Sequence, residues 1–325
     1  MNTDLLDLLR KNEFVSGQQI AGALGVSRNA VWKAVEKIRK EGYDVEAVTG
    51  MGYRLVNNDE AFGEISIQSF LKTKWLGRDL IFFEETGSTN DEVKKRAEKD
   101  AKEGLLIVAD RQVKGKGRRG KTWDTFGGEN IAMSCLLRPA FSPDIAPMLT
   151  IVMAISAMQG IEEVTGIEAG IKWPNDIVIN GRKCVGILTE MSAEPDYIHY
   201  VVTGTGINVN TESFPEEIRN IATSLYLETG RKYSRSKLTA SIINAFENNY
   251  DLFSKTGDLK GFCQLYNSRC VNAGKRVTVM DPKGSFEAYA KGINDRGELA
   301  VKKDDGEEIN IYAGEVSVRG MYGYT

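Results

Sequence analysis

A chain of 325 residues is too long for one ordinary hydrophobic core, and 42% hydrophobic with 27% charged residues gives two or three domains enough apolar material to bury. A net charge of −3 excludes wholesale coating by nucleic acid but leaves room for local basic surfaces, so charge has to be followed segment by segment. Four dispersed cysteines, Cys135, Cys184, Cys263 and Cys270, form no C-x-x-C pair and argue against a zinc site or disulfide scaffold; the single histidine, His199, has no nucleophile motif near it.

No apolar run of membrane-spanning length and no signal sequence are seen, so no membrane partner and a cytoplasmic location are expected. Asp4 to Lys11 carries Leu5, Leu6, Leu8 and Leu9 at helical spacing. A second helix starts at Ser16, where Ser16 and Gln19 can form a capping box, and Gly25 is its C-terminal stop. Ser27 caps a third helix whose Val31, Val35 and Ile38 share one face. The tight Gly25-Val26-Ser27 turn makes the pair a helix-turn-helix. The third helix carries a local basic excess, and Ser27, Arg28, Asn29 and Lys33 near its start are the expected DNA contacts. Tyr43 to Val48, the turn Thr49 to Gly52, and Tyr53 to Val56 supply a two-stranded wing. Residues 1–60 are thus expected to form a winged helix-turn-helix DNA-binding domain ending in a polar linker, Asn57 to Glu60.

From Ser66 to Arg269 the runs alternate. Leu105 to Ala109 and Asn130 to Leu137 are strand-like, Pro147 to Val164 is an apolar helix, and strands follow at Ile167 to Lys172, Ile177 to Asn180, Lys183 to Met191 and Tyr197 to Val209. Helices at Lys237 to Phe253 and Leu259 to Ser268 complete a mixed sheet flanked by helices over residues 66–269. The short strands of residues 270–325, joined by Asp-Pro, Asn-Asp-Arg-Gly and Asp-Asp-Gly turns, predict a small β-barrel. The fold class is therefore α+β.

Chemistry concentrates in a few islands. Lys114 to Trp123 combines glycines that admit backbone N–H groups to an anion, Lys and Arg side chains suited to phosphate, and an indole plate for a heterocycle. The others are Ser88-Thr89-Asn90, Lys172-Trp173-Pro174-Asn175-Asp176 with Gly181-Arg182-Lys183, and Gly204-Thr205-Gly206-Ile207-Asn208. In this order, behind a DNA-binding head, they resemble the bifunctional biotin protein ligase and biotin operon repressor family, marked by a GRGRRG-x-x-W loop, a KWPND strand end and a GxGIN segment. The likeness spans essentially the whole chain.

The resemblance implies a class II synthetase-like central domain that forms biotinyl-5′-AMP from biotin and ATP with Mg2+, then passes biotin to a lysine of a biotin carboxyl carrier protein. It also implies binding to operator DNA as an adenylate-bound homodimer. Carried over by residue, Ser88, Thr89 and Gln112 hydrogen-bond the ureido end of biotin, with Asn90 in the same group. Gly115, Lys116, Gly117 and Arg118 wrap the biotin, Arg118 contacts carboxylate and phosphate, and Trp123 packs near the adenine. Lys183 bridges the carboxylate and the α-phosphate. Asn175, Asp176 and Asn208 surround phosphate and ribose, with Asp176 serving the magnesium or the incoming lysine. Lys183, Arg118 and Asp176 are then the catalytic set, and the metal ligands stay unassigned. Lys116 and Lys121 stand where the family has arginine, which keeps charge but loses the planar fork. Gly314 to Arg319 resembles the family's last strand.

Two rival readings are a non-catalytic winged-helix regulator sensing biotin or another small acid, and a lipoate ligase. Arg118, Lys183 and Asp176 speak against the first, because a sensor has no need of phosphate chemistry. The basic loop and the DNA-binding head speak against the second.

Overall fold

The computed structural model describes residues 1–57, 61–123, 125, 128–281, 284–312 and 317–320. Asn58 to Glu60 of the expected linker and Gly314 to Val316 of the expected last strand lie outside them.

The head opens with helices α1 (Asn2–Lys11), α2 (Gly17–Leu24) and α3 (Arg28–Lys40). The capping box forms as the sequence requires: Gln19 N–H donates to Ser16 Oγ at 3.2 Å, and Ser16 N–H donates to Gln19 Oε1 at 2.9 Å. Gly25 closes α2 in the left-handed region, and Ser27 Oγ accepts from Ala30 N–H at the start of α3. Leu5, Leu6, Leu9, Ile20, Val31, Val35 and Ile38 form the core. Strands β1 (Asp44–Val48) and β2 (Gly52–Asn57) form the antiparallel wing. The guanidinium of Arg39 spans from α3 to the Val45 carbonyl, so this residue of the basic helix serves the scaffold. Arg28, Asn29 and Lys33 remain exposed, and so does Trp32 on the same stretch, which the sequence reading passed over.

Next comes an element the sequence did not suggest, α4 (Glu64–Phe70). Its Ile65 belongs to the head core and its Ile67 to the core of the central domain, so one short helix is shared by both. Glu41, at the end of α3, accepts from the N–H groups of Ile65 (2.9 Å) and Ser66 (3.3 Å), capping α4 from the head side. Burial raises the Glu41 carboxyl above its ordinary value, only partly offset by those two N–H donors. A raised folded-state pKa means the stability it confers is present below the ordinary carboxylate range and is lost as pH rises through the folded value. Thermal denaturation as a function of pH should therefore show this loss in the natural chain and lack it in Glu41→Gln. Glu41→Ala, which strips two N–H groups of their acceptor, should cost about 1–3 kcal/mol.

The central sheet contains β3 (Leu80–Thr86), β4 (Leu106–Gln112), β5 (Ile131–Leu137), β6 (Gly170–Lys172), β7 (Asp176–Ile179), β8 (Arg182–Ala193) and β9 (Ile198–Ile207), in the order β3-β4-β5-β9-β8-β7-β6. Only β3 and β4 run parallel. Side-chain alternation separates the two faces. Ile107, Leu136 and Val202 pack with Val93 and Ala97 of α5 (Thr89–Ala97), whereas Leu106, Val108, Cys135, Leu137 and Val201 face the main core. That core holds α6 (Leu149–Thr165), α8 (Arg235–Thr256) and α9 (Lys260–Arg269), with the short α7 (Leu225–Thr229) between sheet and α8 in sequence.

The span Ala146–Thr165 corrects one expectation: its 20 residues are long and apolar enough by composition to cross a membrane. It is the central core helix, packed against α8 and the sheet, which is why its residues are apolar nearly all round. The cysteines form no disulfide; burial pushes the Cys135 thiol up to about 12.

The C-terminal strands β10 (Arg276–Met280), β11 (Phe286–Ile293), β12 (Leu299–Lys302), β13 (Glu308–Ile311) and β14 (Ser317–Gly320) form an antiparallel sheet in the order β13-β12-β11-β10-β14. The expected barrel thus appears as a small five-stranded sheet whose ladder is not closed between β13 and β14 among the described residues. Trp173 ties this domain to the central one. Its N–H donates to Asn272 Oδ1 at 2.9 Å and its indole N–H to the Gly297 carbonyl at 3.0 Å.

Candidate active site

The central strands and three loops enclose a narrow cleft that is open to solvent on one side. Its floor is backbone. Gly186 and Gly206 are cross-strand partners on β8 and β9, and Gly204 faces Leu188 in the same ladder. The indole of Trp123 lies on this glycine floor. A Cβ at Gly206 would fall 2.4 Å from the indole and one at Gly186 2.8 Å, so any larger residue at either position displaces the ring. The indole Nε1 is buried without a hydrogen-bond partner among the described residues. A ring seated this way is a wall that can present both a flat face and an unused donor.

The basic loop is a folded-back hairpin. Trp123 N–H donates to the Gly115 carbonyl at 2.9 Å and Gly117 N–H to that of Lys121 at 2.7 Å, with a 3₁₀ turn over Arg118–Gly120. Arg119 sits in the left-handed region at the tip (φ 58°) and points out, which leaves Arg118 as the arginine turned inward.

At the closed end, Ser88 precedes α5, and Thr89 and Asn90 form its first turn; all three are buried. Gln112, at the end of β4, accepts through Oε1 from Thr89 N–H (2.7 Å) and lies 3.0 Å from the Thr89 hydroxyl. An amide whose oxygen is already engaged presents its NH₂ to a ligand. Ser134, on β5, bonds both the Thr89 hydroxyl (2.7 Å) and Asn90 Oδ1 (2.5 Å). Sequence reading missed Ser134 because a lone serine in an apolar strand carries no motif.

Charge gathers at the open end. Lys183 Nζ stands 2.6 Å from Asp176 Oδ1 and 5.5 Å from the Trp123 ring centroid. Arg118 donates to Asn175 Oδ1 at 3.0 Å, and Asn175 Nδ2 donates to the Ile187 carbonyl, also at 3.0 Å. Burial draws the Arg118 pKa down while Asp176 acts against that shift. Two half-buried cations at one end of the cleft make it a place where an anionic ligand offsets the cost of desolvating them.

The structure therefore brings together Ser88, Thr89, Asn90, Gln112, Lys116, Gly117, Arg118, Trp123, Asn175 and Lys183 on one cleft, with Asp176 ion-paired at its mouth. Lys116 lines the cleft but sends its charge elsewhere, and two expected residues lie off it. The Lys116 ammonium reaches Asp91 at 2.7 Å in an exposed pair. Gly115 backs the cleft, where a Cβ would fall 2.1 Å from the Trp123 carbonyl oxygen and 3.0 Å from the Gln112 amide nitrogen. Asn208 lies behind Lys183: its Nδ2 donates to the Thr223 carbonyl, and Thr223 N–H in turn donates to that of Lys183. His199 is outside the cleft, 3.3 Å from Glu194. No cluster of three metal-ligating side chains occurs among the described residues.

Residues 82–208 match the model of the Biotin/lipoate A/B protein ligase family, residues 2–54 that of an HTH domain, and residues 273–319 that of the Biotin protein ligase C terminal domain. The chain is 41% identical over 322 residues to the Bifunctional ligase/repressor BirA of Bacillus subtilis (strain 168), covering 98% of both. It is 27% identical to the protein of the same name from Escherichia coli (strain K12), covering 97% of this chain and 96% of that one. In three dimensions it is similar to a biotin protein ligase from Aquifex aeolicus in complex with biotin and ATP, with a TM-score of 0.67 and 30% identity over 75% of this chain and 99% of that chain.

Proposed function

The chain belongs to the bifunctional biotin ligase/repressor family, a biotin–[acetyl-CoA-carboxylase] ligase with a DNA-binding repressor head, and we propose how its residues divide that work. The observation that carries the assignment is one cleft with neutral donors and acceptors at its closed end and two cations at its mouth. That polarity suits an uncharged ureido ring followed by a carboxylate.

Biotin's carboxyl, like side-chain carboxyls of pKa ~4, is ionised near pH 7, so attack on the α-phosphate needs no general base. It needs two anions aligned and their charge dispersed. Thr89 and Gln112, with Ser88 and Asn90, hold the ureido end. Lys183 bridges carboxylate and α-phosphate, Arg118 clamps the same oxygens, and Trp123 supports the nucleotide ring. The carboxylate oxygen forms the bond to phosphorus as pyrophosphate leaves. In the second half, a carrier-protein lysine attacks the acyl carbon of biotinyl-5′-AMP, AMP departs, and the amine proton is lost. Asp176, buried beside Lys183, would receive that proton. Mg2+ is commonly held by one or two carboxylates together with substrate phosphates, and the Asp176 carboxylate fits that pattern. Asp176 would share in holding it, and its chemistry there is neutralisation of phosphate charge.

Incubating the full chain with biotin, ATP and magnesium should yield bound biotinyl-5′-AMP by mass spectrometry. Recovery of unreacted biotin alone would instead mark a sensor without catalysis.

The partners follow from the two halves. Arg28, Asn29 and Lys33 contact operator DNA, while Ser27 fixes the helix that carries them. One winged helix grips DNA weakly, whereas two heads on an adenylate-bound homodimer read paired half-sites at raised effective concentration. The carrier protein then competes with a second copy for the face around the cleft. Such work belongs in the cytoplasm, with the DNA. Operator affinity in a gel shift should rise when biotinyl-AMP is supplied and fall with added salt. Equal affinity with and without the adenylate would separate the head from any biotin switch.

A further inference from the structure

We propose that Glu190, which no part of the reading above uses, is a positioning residue that sets the hydrogen-bond polarity at the closed end of the cleft. The proposal rests on the biotin reading of that cleft. Glu190 lies on β8, its carboxylate divided between two residues one turn apart on α5. Oε2 accepts from Asn90 Nδ2 at 2.7 Å, and Oε1 pairs with Lys94 Nζ at 2.5 Å. A carboxylate facing an ammonium only accepts, so the Asn90 amide must turn its NH₂ toward Glu190, an orientation that the Leu188 carbonyl, 3.3 Å from the same nitrogen, also requires.

That choice propagates. With its NH₂ held on the Glu190 side, Asn90 offers only its oxygen to Ser134, 2.5 Å away, and the one proton of the Ser134 hydroxyl goes to it. Ser134 then has only lone pairs for Thr89, so the Thr89 hydroxyl donates, either to Ser134 or to Gln112 Oε1. The Thr89 oxygen turned to the cleft is therefore an acceptor, while the Gln112 NH₂ is a donor. A ureido group brings N–H donors and a carbonyl acceptor and meets that pair in complementary order. The seat of Asn90 is also tightly specified, since a Cβ at Gly204 would fall 2.0 Å from its Oδ1.

A docking role for α5 alone makes a different forecast, because Lys94–Glu190 would then matter as much as Asn90–Glu190. Isothermal titration of the full chain with biotin, without ATP, separates the two. Glu190→Ala should raise the biotin Kd by about tenfold or more, the factor associated with a hydrogen bond to a charged group. It should raise KM for biotin equally and leave kcat and KM for ATP within about twofold. Glu190→Gln, which keeps an acceptor oxygen, should recover most of the affinity. Lys94→Ala should lower Tm slightly and leave biotin Kd unchanged. Should Glu190→Ala fail to fold, Ser134→Ala removes the middle hydroxyl without touching the ion pair and should weaken biotin alike. Natural-level biotin affinity in Glu190→Ala or in Ser134→Ala, or equal weakening by Lys94→Ala, overturns the proposal. Failure of the unaltered chain to bind biotin overturns the biotin reading itself.

Discussion

Lys183→Ala loses biotin-dependent pyrophosphate release by about 10²–10³, the usual cost of removing one preorganised donor from developing charge, and keeps its fold. The fold survives because the backbone of Lys183 is held independently, its N–H by the Ile221 carbonyl and its carbonyl by Thr223 N–H. Its side chain is partly exposed, so truncation opens no core cavity. The loss has two parts. The ammonium disappears from between two anions, and Asp176 is left as a carboxylate beside an incoming phosphate without its 2.6 Å partner. Because Asp176 would also help to hold the magnesium, Lys183→Ala with Asp176→Asn should recover no pyrophosphate release over Lys183→Ala at saturating ATP and biotin. Near-normal turnover in Lys183→Ala would remove this lysine from the reaction.

Arg118→Gly should leave adenylate formation measurable and make the adenylate leak. The mixed anhydride hydrolyses in water, so the cleft has to retain and shield it until the acceptor lysine arrives. Arg118 is the loop's inward-facing guanidinium, joined to Asn175 at 3.0 Å and thereby to β8 through the Ile187 carbonyl. Glycine deletes this link and loosens the backbone between Gly117 and Arg119. Losing a charged hydrogen bond of about 1.5–3 kcal/mol corresponds to release faster by roughly 10–100-fold. Gel filtration should then recover less bound biotinyl-AMP, and bystander proteins should become biotinylated. Labelling confined to the carrier, with adenylate still retained, would show that the clamp lies elsewhere.

Much of this site was legible because its chemistry is written in contiguous segments. Lys114 to Trp123 combines glycine, charge and an aromatic within ten residues, and Asn175-Asp176 with Lys183 flank one hairpin, so local spacing was enough. Ser134 and Glu190 were not legible. Each reaches Asn90 across the sheet, 44 and 100 residues away, and no local pattern marks a residue whose partner is set by strand order. Helix α5 escaped for a related reason: of its nine residues only Val93 and Ala97 are buried apolar ones, too weak a stripe to signal a helix. Asn208 comes from such a contiguous segment too, and its amide donates to the Thr223 carbonyl behind Lys183.

Helix α4 bears on how this chain could be cut or recombined. Swapping one DNA-reading head for another at residues 58–60 assumes that the ligase half begins at Ala61 as a finished surface. It does not: Ile65 would lose the head core around it, the Ile65 and Ser66 N–H groups their Glu41 acceptor, and Ser69 and Phe70 the Arg10 guanidinium that bonds one and stacks on the other. A headless chain beginning there should still carry its cleft but melt lower, and a chimera with a foreign head should be stable only if the donor supplies an acceptor where Glu41 stands and a cation where Arg10 stands. The modular seam in the sequence and the mechanical seam in the protein lie about one helix apart.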